Sequence, residues 1–233
     1  MMKKTALILL VCMLAALCAT AFADGLTMVE RTEYVRKEFD TSSYGSIYAE
    51  VRNDSDKPIS LSKVCDVRFY DTDGEMLEEY TDRYGFPSVL QPGETGYISE
   101  DVFLLAGARD VGKGELVLHP DPELPDMVST RTPVTATLDL DALNAADDED
   151  CYIFIELENT TDELLGEFSI STAMWNQHNK IMFAYSGYVS ALVPPGEKGI
   201  VRIELPFSLI EAWRSKGDVP TYLESFRYET RSK

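Results

Sequence analysis

In SIYAEVRNDSDKPI, from Ser46 to Ile59, the apolar residues Ile47, Ala49 and Val51 fall at every second position and share one side. Strict alternation of this kind predicts a half-buried β-strand, and the Asn53-Asp54-Ser55-Asp56 segment behind it has the composition of a turn. A second alternating run, VCDVRFY, puts Cys65, Val67 and Phe69 together. The pattern then returns. YIFIELENTTDELL, from Tyr152 to Leu165, places Ile153, Ile155 and Leu157 on one side and Asn159 where Asn53 stood. Continued without a gap, the alignment lays Trp175 on Phe69 and Met182 on Met76, so Ser171, Ala173 and Trp175 take the places of Cys65, Val67 and Phe69. Further on, LQPGETGYI (Leu90 to Ile98) matches VPPGEKGIV (Val193 to Val201). A shared Pro-Gly-Glu-x-Gly after two matched strands points to a tandem duplication.

The predicted fold is all-β: two tandem immunoglobulin-like β-sandwich domains, with a short helix near the C-terminus of the second. The expected boundaries are a signal peptide over 1–23, a first sandwich over 24–118, a proline-rich linker over 119–130 and a second sandwich over 131–233. HPDPELP, from His119 to Pro125, has the composition of an extended, semi-rigid linker. Within PFSLIEAWRSKGD, Ser208 and Glu211 have capping-box spacing and Lys216-Gly217 is a stop, which predicts a helix packing Leu209, Ala212 and Trp213 on the sheet. YLESFRYE, from Tyr222 to Glu229, is the expected closing strand.

Val67-Arg68-Phe69-Tyr70-Asp71-Thr72-Asp73-Gly74 is an alternating strand that ends in an aromatic residue and an Asp, followed by a glycine turn. Together with the Asn-rich turn before it and the Pro-Gly-Glu after it, this segment resembles the signature of FxLYD-type domains, small exported β-sandwich modules. Arg68 departs from that pattern, and the second copy keeps only Trp175 at the aromatic position. The resemblance implies an exported, noncatalytic module.

Lys3 and Lys4, an apolar run from Ala6 to Leu17 and the small-x-small site Ala21-Phe22-Ala23 read as a cleaved secretory signal. The run is short for a membrane span, and Leu17 stands where a lipoprotein signal has a small residue before its cysteine. The expected product is secreted or extracytoplasmic, at the cell surface or in the periplasm, with no integral membrane segment after cleavage.

Charge narrows the partners. The chain has 40 acidic and 21 basic residues, a net charge of −19. Phosphate backbones need cationic surfaces, so nucleic acid is excluded as a partner, and a protein or glycan at the cell surface is expected instead.

Candidate chemistry is sparse. Asp71 and Asp73 before Gly74 have the look of a calcium loop, but the aligned Gln177-His178-Asn179-Lys180 keeps only a turn, and a hairpin turn is the favoured reading of both. Asp147, Asp148, Glu149 and Asp150 form a second acidic run, read as a solvated loop. His119 and His178 are the only histidines, neither at metal-ligand spacing, and there is no Gly-x-Ser-x-Gly elbow. No cofactor and no catalysis are expected; a hydrolase with two facing carboxylates is the remote alternative. Cys65 and Cys151 are expected inside different cores and therefore unpaired. Glu100 lies between Ile98 and Val102 and aligns with Ile203. A lone carboxylate in a core is expensive, so a bulge turning it outward is expected, with a buried carboxylate of raised pKa as the alternative. Tyr80 and Tyr84, matched by Tyr185 and Tyr188, are the candidate ligand-binding residues, because rings on a β-surface stack on sugars or anchor protein partners.

Overall fold

The structure is a computed structural model and describes residues 25–39, 42–104, 110–119, 127–139, 143 and 151–232. The signal segment and the acidic run Asp147–Asp150 lie outside the described residues. The first half contributes strands β1 (Leu26–Phe39), β2 (Ser42–Asn53), β3 (Ile59–Ser60), β4 (Cys65–Asp71), β5 (Met76–Arg83), β6 (Val89–Leu90), β7 (Thr95–Leu104) and β8 (Val111–Leu118). The second contributes β9 (Met127–Pro133), β10 (Thr135–Leu138), β11 (Cys151–Glu158), β12 (Leu165–Trp175), β13 (Ile181–Val193), β14 (Lys198–Leu205), helix α1 (Phe207–Lys216) and β15 (Tyr222–Ser232). The fold is all-β with one short helix near the C-terminus among the described residues, and no described helix is long and apolar enough to cross a membrane.

Sheets β1-β2-β7 and β5-β4-β8 enclose one core, which contains Ile47, Ala49, Val51, Cys65, Val67, Phe69 and Ile98. Sheets β10-β11-β14 and β13-β12-β15-β9 enclose another, with Cys151, Ile153, Ile155, Leu157, Met174, Ile203 and Leu205. Both cysteines are buried and free, one in each cluster. Burial pushes both thiols up, Cys65 to about 12 and Cys151 to about 11, so each behaves as a small hydrophobe.

Two asparagines organise matching loops. Asn53 donates through Nδ2 to the carbonyls of Lys57 (2.7 Å) and Leu90 (3.0 Å), and its Oδ1 accepts from the Ser55 amide and hydroxyl. Asn159 does the same with Glu163 (2.8 Å), Val193 (2.7 Å) and Thr161. Their carbonyls accept from Gly93 and Gly196, which take positive φ in the two Pro-Gly turns. A pyrrolidine ring followed by a glycine free to take φ > 0 is what a type II turn requires.

The hairpin turns correct the alignment by one residue. Asp71 Oδ1 accepts the amides of Asp73 and Glu75, and Asn176 Oδ1 accepts those of His178 and Lys180. Gly74 and Asn179 occupy the same left-handed position, at φ 86° and 57°. Asp71 therefore corresponds to Asn176, Phe69 to Met174, and Tyr70 to Trp175. Phe69 and Met174 are buried in the two cores, whereas Trp175 meets Tyr97 of the first half. Sequence alignment anchored at the asparagines missed a single-residue change between the asparagine loop and the hairpin turn.

Glu100 also departs from expectation. Strand β7 pairs with β2 without interruption, Glu100 stands directly opposite Ile47, and no bulge turns it out. Its side chain is buried, and Arg83 satisfies it from β5 at 2.6 Å. Burial raises the Glu100 pKa, with the guanidinium opposing. An ion pair at the margin of the core removed the need for a bulge.

Helix α1 starts at Phe207, with Pro206 at its N-cap position, so Ser208 lies within the first turn and the expected capping box is not formed. The predicted stop holds: Gly217 is left-handed at φ 63°, and the amides of Gly217 and Asp218 return to Arg214 and Trp213. Leu209, Ile210 and Trp213 are buried.

The two halves are stacked against each other. Met127–Thr130, expected within the linker, belong to β9, which pairs with β15. The outer face of β1-β2-β7 carries Tyr34, Tyr48 and Tyr97, and all three are buried, with Tyr48 fully so. They meet the second half through Trp213 Nε1, which donates to Tyr34 Oη (3.1 Å), through Phe183 against Tyr48 (5.2 Å between centroids), and through Trp175 against Tyr97 (5.9 Å). Ser99 Oγ donates to the Ala184 carbonyl at 2.7 Å, and Phe86 packs edge-on against Tyr228 at 4.8 Å. Ile170 to Trp175 on β12 are buried without alternation, because that strand is covered on both faces.

Candidate functional site

At one margin of this junction the apolar packing gives way to carboxylates. Strand alternation puts Glu50 on the same face of β2 as the buried Tyr48, and Glu50 stands directly between Glu30 on β1 and Tyr97 on β7. Two like charges directly opposite each other on adjacent strands repel. From the second half, β15 brings Tyr222 and Glu224 to the same place. Tyr97 donates its hydroxyl proton to Glu224 Oε2 at 3.0 Å. The Trp175 and Tyr222 rings lie 5.3 Å apart.

Together, Glu30, Glu50, Glu224, Trp175, Tyr222, Val29 and Asn179 line a cleft of about 340 Å³ between the halves. Asn179 comes from the hairpin turn that matches Asp71–Glu75, so the second half uses this turn as a wall of the cleft. Three carboxylates and no basic side chain line the space. Burial raises the Glu50 pKa, and the Glu224 charge adds to the rise, against smaller opposing contributions from Arg52 and Arg131. Those two cations are engaged elsewhere: Arg52 pairs with Asp54 at 2.6 Å, and Arg131 lies 3.4 Å over the Phe226 ring and donates to the Thr95 carbonyl. Among the described residues neither Glu30 nor Glu50 has a hydrogen-bond or ion-pair partner.

A second hollow of about 280 Å³ opens on the other side of Tyr222, lined mainly by Ala136, Leu138, Met174, Pro220 and Leu223. It is the unfilled end of the second core and carries no charged group.

The four tyrosines chosen from the sequence do not converge. Tyr80 is half-buried against the first core and donates to Glu78; burial, then that carboxylate, pushes its pKa up to about 12. Tyr185 is half-buried against the second core. Tyr84 and Tyr188 are exposed, at 65% and 62%, with Arg83 standing 5.9 Å from the Tyr84 ring. The two pairs belong to different layers, since Tyr80 lies on β5, in the outer sheet of the first core, with Tyr84 just beyond that strand, and Tyr185 and Tyr188 lie on β13, in the sheet at the junction. Asp71 is buried, its Oδ1 occupied by turn amides, and Asp73 is exposed. Among the described residues no three His, Cys, Asp or Glu side chains gather as a metal cluster. His119 Nε2 lies 2.8 Å from Asp66 Oδ1, and His178 is in the hairpin turn.

The cleft residues carried one signal in the sequence. Tyr222, Glu224, Phe226 and Tyr228 alternate with Leu223 and Ser225, so the closing strand has apolar groups on both faces. A strand of that kind is covered on both sides. Nothing in the sequence paired it with Glu30 and Glu50. Compared with known proteins, the chain matches no family model and no curated protein sequence.

Proposed function

We propose that this chain is an exported, noncatalytic binding module of the bacterial envelope or exterior, built by tandem duplication of one β-sandwich unit, and that it holds its ligand in the cleft between the halves. The observation that carries the reading is the pair Glu30 and Glu50, set opposite each other beside Glu224 in a cleft walled by Trp175 and Tyr222. Like charges at the margin of an aromatic junction weaken it, and a half-buried carboxylate pair with no ion-pair partner among the described residues fits a place reserved for a ligand. The resemblance to FxLYD-type modules and the signal-like N-terminus support export. Mechanism here is surface complementarity, with no bond made or broken.

Co-sedimentation of residues 24–233 with purified envelope from the source organism, with and without calcium, tests this. Sedimentation of the native chain and its loss in Tyr222→Ala support the reading. Native protein remaining in the supernatant under both conditions overturns attachment to the envelope.

A second reading is glycan binding through exposed rings, favoured by the exposure of Tyr84 and Tyr188. Oligosaccharide binding abolished by Tyr84→Ala or Tyr188→Ala, and kept in Tyr222→Ala, supports it over the cleft.

A further inference from the structure

The chemistry of the cleft selects a class of ligand. An anion would meet Glu30, Glu50 and Glu224 with no basic side chain in the lining. A hard metal ion needs several converging oxygens and few apolar walls. Here the carboxylates share the cleft with two large rings, Trp175 and Tyr222, whose faces attract cations that are weakly hydrated. Tyr97 already spends its hydroxyl proton on Glu224, which leaves the carboxylates as acceptors for a donor from outside.

We propose that the cleft binds an organic cation, an alkylammonium or guanidinium group held by Glu30, Glu50 and Glu224 against the rings of Trp175 and Tyr222. This rests on the cleft being the binding site, and it names what the site takes. The charge of such a group answers the opposition of Glu30 and Glu50 directly. The volume of about 340 Å³ suits a small ligand or the end of a basic side chain. The source is a free polyamine or a lysine or arginine side chain of a partner, and both present the same chemistry to the cleft.

The test is calorimetric titration of the protein with spermidine, N-acetyl-lysine methylamide, N-acetyl-arginine methylamide, calcium chloride and a neutral oligosaccharide mixture. The native chain is compared with Glu50→Gln, Tyr222→Ala and Asp162→Asn, the last removing an exposed charge from the β11–β12 turn. Saturable binding of at least one organic cation is expected. It should weaken about tenfold in Glu50→Gln and in Tyr222→Ala, and stay within about twofold in Asp162→Asn. Preference for spermidine identifies a polyamine source, and preference for the amino-acid amides a protein one. No saturable binding of any organic cation overturns the proposal, as does equal weakening in Asp162→Asn, which would mark general surface charge. Oligosaccharide binding that Tyr222→Ala abolishes, without cation binding, overturns the cation and leaves the cleft reading standing. Ligand binding of any kind that Tyr222→Ala and Glu50→Gln leave untouched overturns both. Circular dichroism of each variant verifies that it is folded.

Discussion

The Tyr97 hydroxyl donates to Glu224 Oε2 at 3.0 Å, joining residues that lie in different halves of the chain. Tyr97 is almost fully buried, and burial together with the nearby Glu224 and Glu50 charges raises its pKa. A charge-assisted hydrogen bond to a partly hydrated carboxylate contributes about 1–2 kcal/mol. Tyr97→Phe should lose that amount in urea denaturation while keeping the ring packed on Trp175. An unchanged midpoint would mean that water replaces the tyrosine at Glu224 without loss.

The same junction buries Tyr34, Tyr48 and Tyr97 on a face of β1-β2-β7 that the first half alone would expose. Each buried ring is worth roughly 1.5–3 kcal/mol against exposure. The halves should therefore melt together. Scanning calorimetry is expected to show one transition for the native chain, and Tyr48→Ser should separate it into two. Two resolved transitions in the native chain would show that the junction is too weak to couple the cores.

The pH dependence of stability reports on the cleft. Glu50 has its pKa raised above the ordinary 4.5, first by burial and then by Glu224, with Glu30 adding and Arg52 and Arg131 opposing. A carboxyl whose folded pKa is raised binds protons more tightly in the folded state, so its ionisation destabilises the fold as pH rises through that raised value. Glu50→Gln removes the ionisation. Its Tm should exceed the native Tm at pH 7, and the difference should close as pH falls toward the ordinary carboxylate range. A variant that is less stable at neutral pH would show that Glu50 is compensated in the folded chain. Higher stability with weaker ligand binding is the trade expected of a site built at the expense of the fold.

Glu100 and Arg83 should respond unequally to removal. Glu100 has a side chain only 4% exposed, whereas that of Arg83 is 34% exposed and hydrates if left alone. Arg83→Met strands a buried carboxylate and should cost about 3 kcal/mol. Glu100→Ile, which introduces the residue type found at Ile203, should cost much less or stabilise. Urea denaturation of both variants checks this, and equal losses would refute the asymmetry.

Asn53 and Asn159 each satisfy two carbonyls and two donors from a fully buried position. Asn→Ala leaves those groups without partners, so each substitution should cost about 3 kcal/mol by denaturation, with similar values at the two sites. A large difference between them would show that one loop finds other partners or water.

Alternation alone determined β2, β4 and β11. Ile47, Ala49 and Val51, and likewise Ile153, Ile155 and Leu157, face inward as their period of two requires, because a pleated strand sends successive side chains to opposite faces. The turns were equally local: proline, glycine and asparagine set backbone angles whatever surrounds them, so the Pro-Gly turns and the left-handed stop at Gly217 were legible. What period two cannot say is what lies beyond the outer face. Tyr70 and Trp175 hold equivalent positions, yet Tyr70 is partly open to water beneath Lys113, and Trp175 is buried against Tyr97. Alternation gives no sign that Glu100 can face the core, because its partner Arg83 lies on a strand that sequence spacing does not bring near it. The cleft is of the same kind. Glu30, Glu50 and Glu224 belong to separate strands in two halves of the chain, and only the packing of one half on the other, driven by burial of aromatic surface, brings them to one cleft.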